Sequence, residues 1–204
     1  MNVSIFSLYW DNIDERVVKH QKNIMDQHNI VIQQHRINEI DHGEWMDWVI
    51  KRNNGLILFM DIDCIITNKY KAIKYITMAG DGTLVGNIQC TSHMGPEIAK
   101  KEFAGPSFLC VHKEQWINLK SPSFMASPYG DVAQLVTDTW KQSNVSVKYL
   151  PVTDCEQPKW TTYESKQSYG IGTTYGECVY HLYESCTNSN IDMFLRKNIS
   201  QETH

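Results

Sequence analysis

The chain has 204 residues, a formal net charge of -4 and a pI near 6.0, with 42% hydrophobic and 21% charged residues. These values fit a globular chain with a sizeable core, and they argue against a broadly basic nucleic-acid binder. No run approaches the roughly 18 apolar residues of a membrane span, and the N-terminus lacks the basic and apolar regions of a signal peptide.

Residues 3–9 read as a strand, and Asp14 opens a helix whose Val17, Val18, Gln21, Ile24 and Met25 fall near one face. A short strand is expected at residues 30–32, then a helix over 43–51 with Trp45, Trp48 and Val49 turned inward, ended by Asn53-Asn54-Gly55. Leu56-Ile57-Leu58-Phe59-Met60 is a continuous apolar run bounded by turn residues, the pattern of a central parallel strand covered on both faces. The β-α-β-α-β order predicts a Rossmann-like α/β sheet, mixed but mainly parallel and flanked by helices, with ligands at the carboxyl ends of its strands.

A helix over 69–78, a Gly80-Asp81-Gly82 turn and a strand near 83–85 follow. Residues 86–103 carry no clear period, and 107–111 form another apolar strand leading to Trp116. After a Ser- and Pro-rich loop at 121–129, a helix is expected from Gly130-Asp131 through Trp140, then a strand at 145–152. The polar, aromatic, Gly-containing stretch 153–176 reads as a mobile loop over a site. His181 lies in an apolar segment ahead of a final helix near 191–197. The six cysteines (Cys64, Cys90, Cys110, Cys155, Cys178, Cys186) include no CxxC pair, which predicts free thiols in a cytoplasmic protein.

The chemistry concentrates at Asp61-Ile62-Asp63, where the buried third strand ends. Two carboxylates one residue apart repel unless a hard divalent cation lies between them. Mg²⁺ or Mn²⁺ on these oxygens would keep positions open for phosphate and act as a Lewis acid on a departing diphosphate. The alternative is a carboxylate cluster that caps the next helix. Asp131, at a predicted helix start, reads by default as an N-cap.

The segment LILFMDIDCIIT (residues 56–67) resembles the strand and DxD motif of GT-A-fold glycosyltransferases. Three later pieces are similar to that family in order: AGPSFLC (104–110) on to Trp116, YGDVAQ (129–134) and YGECVYH (175–181). The resemblance implies a GT-A domain over residues 1–204, with a nucleotide-sugar half at 1–90 and an acceptor-side half at 91–204. It implies Asp61, Asp63 and His181 as metal ligands, the imidazole held through its other nitrogen by an acceptor. Ser7, Tyr9, Trp10 and Asp61 would hold the nucleotide, and Asp131 and Gln134 would face the acceptor. Arg36, Lys159 or Lys166 would meet the diphosphate. The donor is then a nucleotide-diphosphate-sugar, a hexosyl donor by class, and the acceptor a saccharide, a small molecule or a modified DNA base. The last is an acceptor of phage-encoded enzymes of this kind, which work in the host cytoplasm.

Two rival readings use the same residues. A haloacid-dehalogenase-like phosphatase also carries DxD after an apolar strand, but on its first strand, and it needs a later acidic pair that Asp131 and Asp138 space poorly. A non-catalytic GT-A-like binding protein could retain the acidic pair unused. The separation of His181 from Asp63 distinguishes the transferase site from both.

Overall fold

A computed structural model describes residues 2–91, 101–185 and 188–199. The elements in chain order begin with β1 (Val3–Tyr9), α1 (Glu15–Gln27), β2 (Gln33–Arg36), α2 (His42–Arg52), β3 (Leu56–Asp61), β4 (Cys64–Ile66), α3 (Lys69–Ala79) and β5 (Leu84–Cys90). They continue with β6 (Glu102–His112), α4 (Lys113–Asn118), α5 (Gln134–Gln142), β7 (Val147–Leu150), β8 (Val152–Thr161), β9 (Ser168–Tyr175), β10 (Val179–His181) and α6 (Asn188–Arg196).

Six strands form one sheet in the order β2-β1-β3-β6-β5-β7, in which only β6 runs against its neighbours. This is the mixed, mainly parallel α/β sheet that the sequence predicts. The apolar run of β3 is covered on both faces by alternation. Leu58 and Met60 join Ile5, Phe108 and Val179 in one core, whereas Ile57 and Phe59 join Phe6, Trp45 and Val49 in the other. A second, antiparallel sheet has the order β4-β10-β9-β8 and packs with α1 and α6 around Ile65, Tyr180 and Phe194.

Several elements depart from the sequence reading. The second strand is not the apolar 30–32 but Gln33–Arg36, an edge strand whose backbone pairs with β1 and whose side chains stay partly solvated. Val31 is 81% exposed. Trp48 turns outward and carries the Arg52 guanidinium over its ring at 4.7 Å. Part of the stretch without a clear period belongs to long strands: β5 continues to Cys90 and β6 starts at Glu102. Their register shifts between Gly86 and Asn87, where the partner changes from Leu109 to Gly105. A Cβ at Gly105 would lie 2.2 Å from the Gln89 side chain, so the close approach there requires glycine.

The largest departure is residues 153–176, which form the β8–β9 hairpin and not an irregular loop. Most side chains of β8 are solvated, so its sequence lacks the apolar alternation that marks a half-buried strand. His93 and Cys186 lie outside the described residues, while Cys64, Cys90, Cys110, Cys155 and Cys178 are free thiols. No helix among the described residues is long and apolar enough to cross a membrane.

Candidate functional site

The acidic pair sits in the turn from β3 to β4, and its backbone is fastened from three sides. The amide of Gln21, fully buried on α1, donates to the carbonyls of Asp61 (2.7 Å) and Cys64 (2.8 Å). Gln34 on β2 donates in turn to the Gln21 side-chain oxygen at 3.0 Å. From the second sheet, Leu182 N–H donates to the Asp63 carbonyl at 2.9 Å, and His181 pairs in register with Cys64.

That register carries His181 to the carboxylates. Its Nε2 lies 3.2 Å from Asp63 Oδ1 and 3.4 Å from Asp61 Oδ2. Two ligands at right angles on a cation, each roughly 2.1 Å away, stand about 3.0 Å apart. The separations observed therefore suit one small divalent ion, and one donor atom from each of the three residues lies within 4.8 Å of the others. Oxygen donors suit Mg²⁺ and Mn²⁺ alike, while the imidazole shifts the preference toward Mn²⁺. The His181 ring lies against Tyr183 at 4.1 Å between centroids, tilted by 57°. Its Nδ1 is buried with no hydrogen-bond partner among the described residues, so the acceptor expected to hold that nitrogen is not found there.

Electrostatics here favour a cation. Burial disfavours the charged imidazole of His181, but the Asp63 and Asp61 carboxylates outweigh that and hold its pKa above the usual histidine value. Asp61 keeps 24% of its side chain exposed yet titrates above the ordinary carboxylate range. Desolvation is the main cause; His42 and His181 oppose it, and the charges of Asp63 and Asp131 add to it. His42, at the first turn of α2, places Nε2 3.5 Å from Asp61 Oδ1. Sequence reasoning passed over His42, and the only signal was its place directly after the N-cap Asp41.

Three adjoining cavities make a cleft. The first, about 290 Å³, is walled by Tyr9, Trp10, Asp11 and Arg36. The second, about 160 Å³, shares Trp10 and Ile13 with the first and leads to Asp61 and Asp63. The third, about 300 Å³, continues from those aspartates to Asp131, Gln89, Trp160 and Tyr183. A larger cavity of about 420 Å³, walled by Lys71, Lys74 and Lys148, shares no residue with this cleft.

The structure thus gathers Tyr9, Trp10, Asp61, Asp63, Asp131 and His181 along one cleft, and leaves out Ser7 and Gln134. Ser7 is fully buried within β1 and does not line the cleft. Gln134 is also buried, and its side-chain oxygen accepts from the Asp131 N–H at 3.2 Å. Asp131 is not a helix N-cap: α5 starts three residues later, behind Ala133 in a left-handed conformation (φ 67°). One Asp131 oxygen accepts from Val132 N–H at 2.7 Å, and the side chain lines the third cavity. Among the basic candidates Arg36 pairs with Asp11 at 2.6 Å, Lys159 pairs with Glu184, and the Lys166 ammonium lies over the Tyr163 ring.

No protein-family model matches the chain, and no curated protein matches it in sequence. Solved structures do share its fold. A197 from STIV superposes with a TM-score of 0.51 at 9% identity, over 100% of this chain and 99% of that one. A Bacillus anthracis protein assigned as a glucose-1-phosphate thymidylyltransferase, crystallised with sucrose, gives 0.50 at 7% identity, over 98% of each chain. At such identities the likeness establishes the α/β fold alone.

Proposed function

We propose that this chain is a metal-dependent glycosyltransferase of the GT-A type, moving a sugar from a nucleotide-diphosphate-sugar to an acceptor hydroxyl. The observation that carries the reading is His181 Nε2 at 3.2 Å from Asp63 Oδ1, brought from a different sheet to the end of β3. A phosphatase of the rival kind carries its DxD on the first strand and needs a later acidic pair, whereas here the pair ends the third strand and its added partner is an imidazole. The fold shared with a protein assigned as a sugar-phosphate nucleotidyltransferase supports a nucleotide-sugar substrate.

In this reading Tyr9 and Trp10 flank the nucleoside in the first cavity, and the diphosphate crosses the narrow second cavity to Asp61 and Asp63. Asp61, Asp63 and His181 would hold Mn²⁺ or Mg²⁺, which neutralises charge on the departing diphosphate. The acceptor oxygen bonds to the anomeric carbon as the carbon–oxygen bond to the diphosphate breaks, the electron pair leaving with the phosphate oxygen. The acceptor's proton passes to a base, for which Asp131 is the carboxylate lining the third cavity beside the aspartate pair. Gln134 holds the backbone that presents Asp131.

The test is calorimetry of uridine and guanosine diphosphate-sugars with the full chain, in Mn²⁺ and again after chelation. Binding of at least one donor that chelator abolishes supports the reading; metal-independent binding, or none, rejects it.

A further inference from the structure

The third cavity has one wall made of rings. Trp160 on β8 faces its cross-strand partner Tyr169 on β9, with centroids 5.5 Å apart. Tyr183, just after β10, completes the group at 5.3 Å from Trp160 and 5.8 Å from Tyr169. Both phenols are engaged by the protein. Tyr169 Oη donates to the Cys90 carbonyl at 3.0 Å and accepts from the Cys90 N–H at 3.1 Å. Tyr183 Oη accepts from the Gln89 amide at 2.7 Å and shares a 2.8 Å hydrogen bond with Tyr175. Tyr169 is 2% exposed and backs the wall, so the ring surface offered to the cavity comes from Trp160 and Tyr183.

The remaining lining is mainly acidic. Asp61, Asp63, Asp131 and Glu184 border this cavity beside His181, Gln89 and Pro106, and none of its described lining residues is Lys or Arg. Lys159 stands behind, paired with Glu184 and with its ammonium 5.2 Å from the Trp160 ring centre. With Asp61 and Asp63 engaged by the ion, a polyanion would still meet Asp131 and Glu184, and no Lys or Arg among the described lining residues. A neutral polyhydroxylated ring has the complementary chemistry: one C–H face for an aromatic wall, and hydroxyls that donate to carboxylates. The volume, about 300 Å³, is at the lower end of the roughly 300–1,000 Å³ of small-ligand sites, enough for a sugar ring and little more.

We infer that Trp160, Tyr169 and Tyr183 form a pyranoside subsite for the acceptor, so that the acceptor is a saccharide and not a nucleic acid. The assignment of this ring as acceptor rests on the glycosyltransferase reading above; the carbohydrate chemistry of the wall does not.

The experiment is saturation-transfer NMR on the full chain with diamagnetic Mg²⁺ and uridine diphosphate present. The probes are maltotriose, cellobiose, lactose and a ten-nucleotide single-stranded DNA, followed by affinity measurement on any ligand found. At least one saccharide is expected to show saturated ring protons. Its affinity should fall about tenfold or more in Trp160→Ala and recover in part in Trp160→Phe, since stacking needs only a ring. Magnesium and uridine diphosphate binding should be equal in all three proteins, which also reports that the variants fold. Saccharide binding indifferent to Trp160, binding of the oligonucleotide in its place, or no saccharide bound would overturn the inference. Saccharide binding that depends on Trp160 in a chain that binds no nucleotide would instead sink the glycosyltransferase reading and leave the carbohydrate subsite standing.

Discussion

The two sheets that meet at the cleft are built from different materials. β3 is a run of large apolar side chains covered on both faces, and its end cannot shift without disturbing two cores. β8 and β9 carry Thr, Gln, Gly and aromatic residues; most of β8 is solvated and held by its ladder to β9, whose Ile171 and Tyr175 reach into the cores. The comparison shows a division of labour. The apolar sheet fixes the two carboxylates, and the polar sheet delivers His181 and the aromatic wall through β10, whose backbone is tied to β4 and Asp63. The candidate metal cluster exists only where the two are in register.

The largest expected effect separates chemistry from fold. Asp63→Ala should weaken Mn²⁺-dependent donor binding by at least about a hundredfold, the upper end of what even indirect partners of a metal contribute. Its urea midpoint should fall only modestly, because the buried His181–Asp63 pair is lost but no apolar core group is. A matching midpoint with unchanged metal dependence would mean the carboxylate is idle.

Breaking each sheet in turn sharpens the contrast. Gly170→Ala places a Cβ 2.3 Å from the Gln157 carbonyl oxygen across the β8–β9 ladder. It should destabilise the protein by roughly 1–3 kcal/mol and lower saccharide binding more than nucleotide binding. Gln21→Leu removes the donor shared by the Asp61 and Cys64 carbonyls. Chemical denaturation should show a loss of about 2 kcal/mol, the cost of leaving buried acceptors unpaired, and here the metal-dependent step should weaken first.

A smaller effect concerns pH. His181 titrates above its unfolded value, so its contribution to the metal-free fold is fully present below about pH 6.5 and is lost as pH rises through the folded pKa. Asp61, also shifted upward, acts in the same direction at lower pH. Manganese needs the deprotonated imidazole, so its affinity should rise over the interval in which the metal-free protein loses stability. Parallel denaturation and metal titrations across about pH 5.5–8, around the ordinary histidine value, check this opposition. The smallest effect is His42→Ala, expected to lower metal affinity about tenfold through a less well-held Asp61, as read by manganese titration.

What the sequence made legible follows the same division. The apolar run 56–60 and the amphipathic α1 could be read because burial on a fixed period leaves a pattern. Asp61 and Asp63 stood out by residue type and His181 through the resemblance of its segment, but only the β4–β10 register shows that they meet. The β8–β9 hairpin was hidden because solvated strands and loops share a composition, and with it the ring wall that Trp160 and Tyr169 form. Gln21 had one faint mark, a polar side chain on an apolar stripe. Ala133 in a left-handed conformation gave none, so the start of α5 was placed three residues early.

The central claim is that one divalent ion binds where the two sheets join. Anomalous diffraction from crystals grown with Mn²⁺ and a nucleoside diphosphate tests it most directly. The account predicts a single strong peak roughly 2.1–2.3 Å from oxygens of Asp61 or Asp63 and from His181 Nε2, with the diphosphate on its open side. A nucleotide bound elsewhere, or bound in this cleft with no manganese beside Asp63, would contradict it.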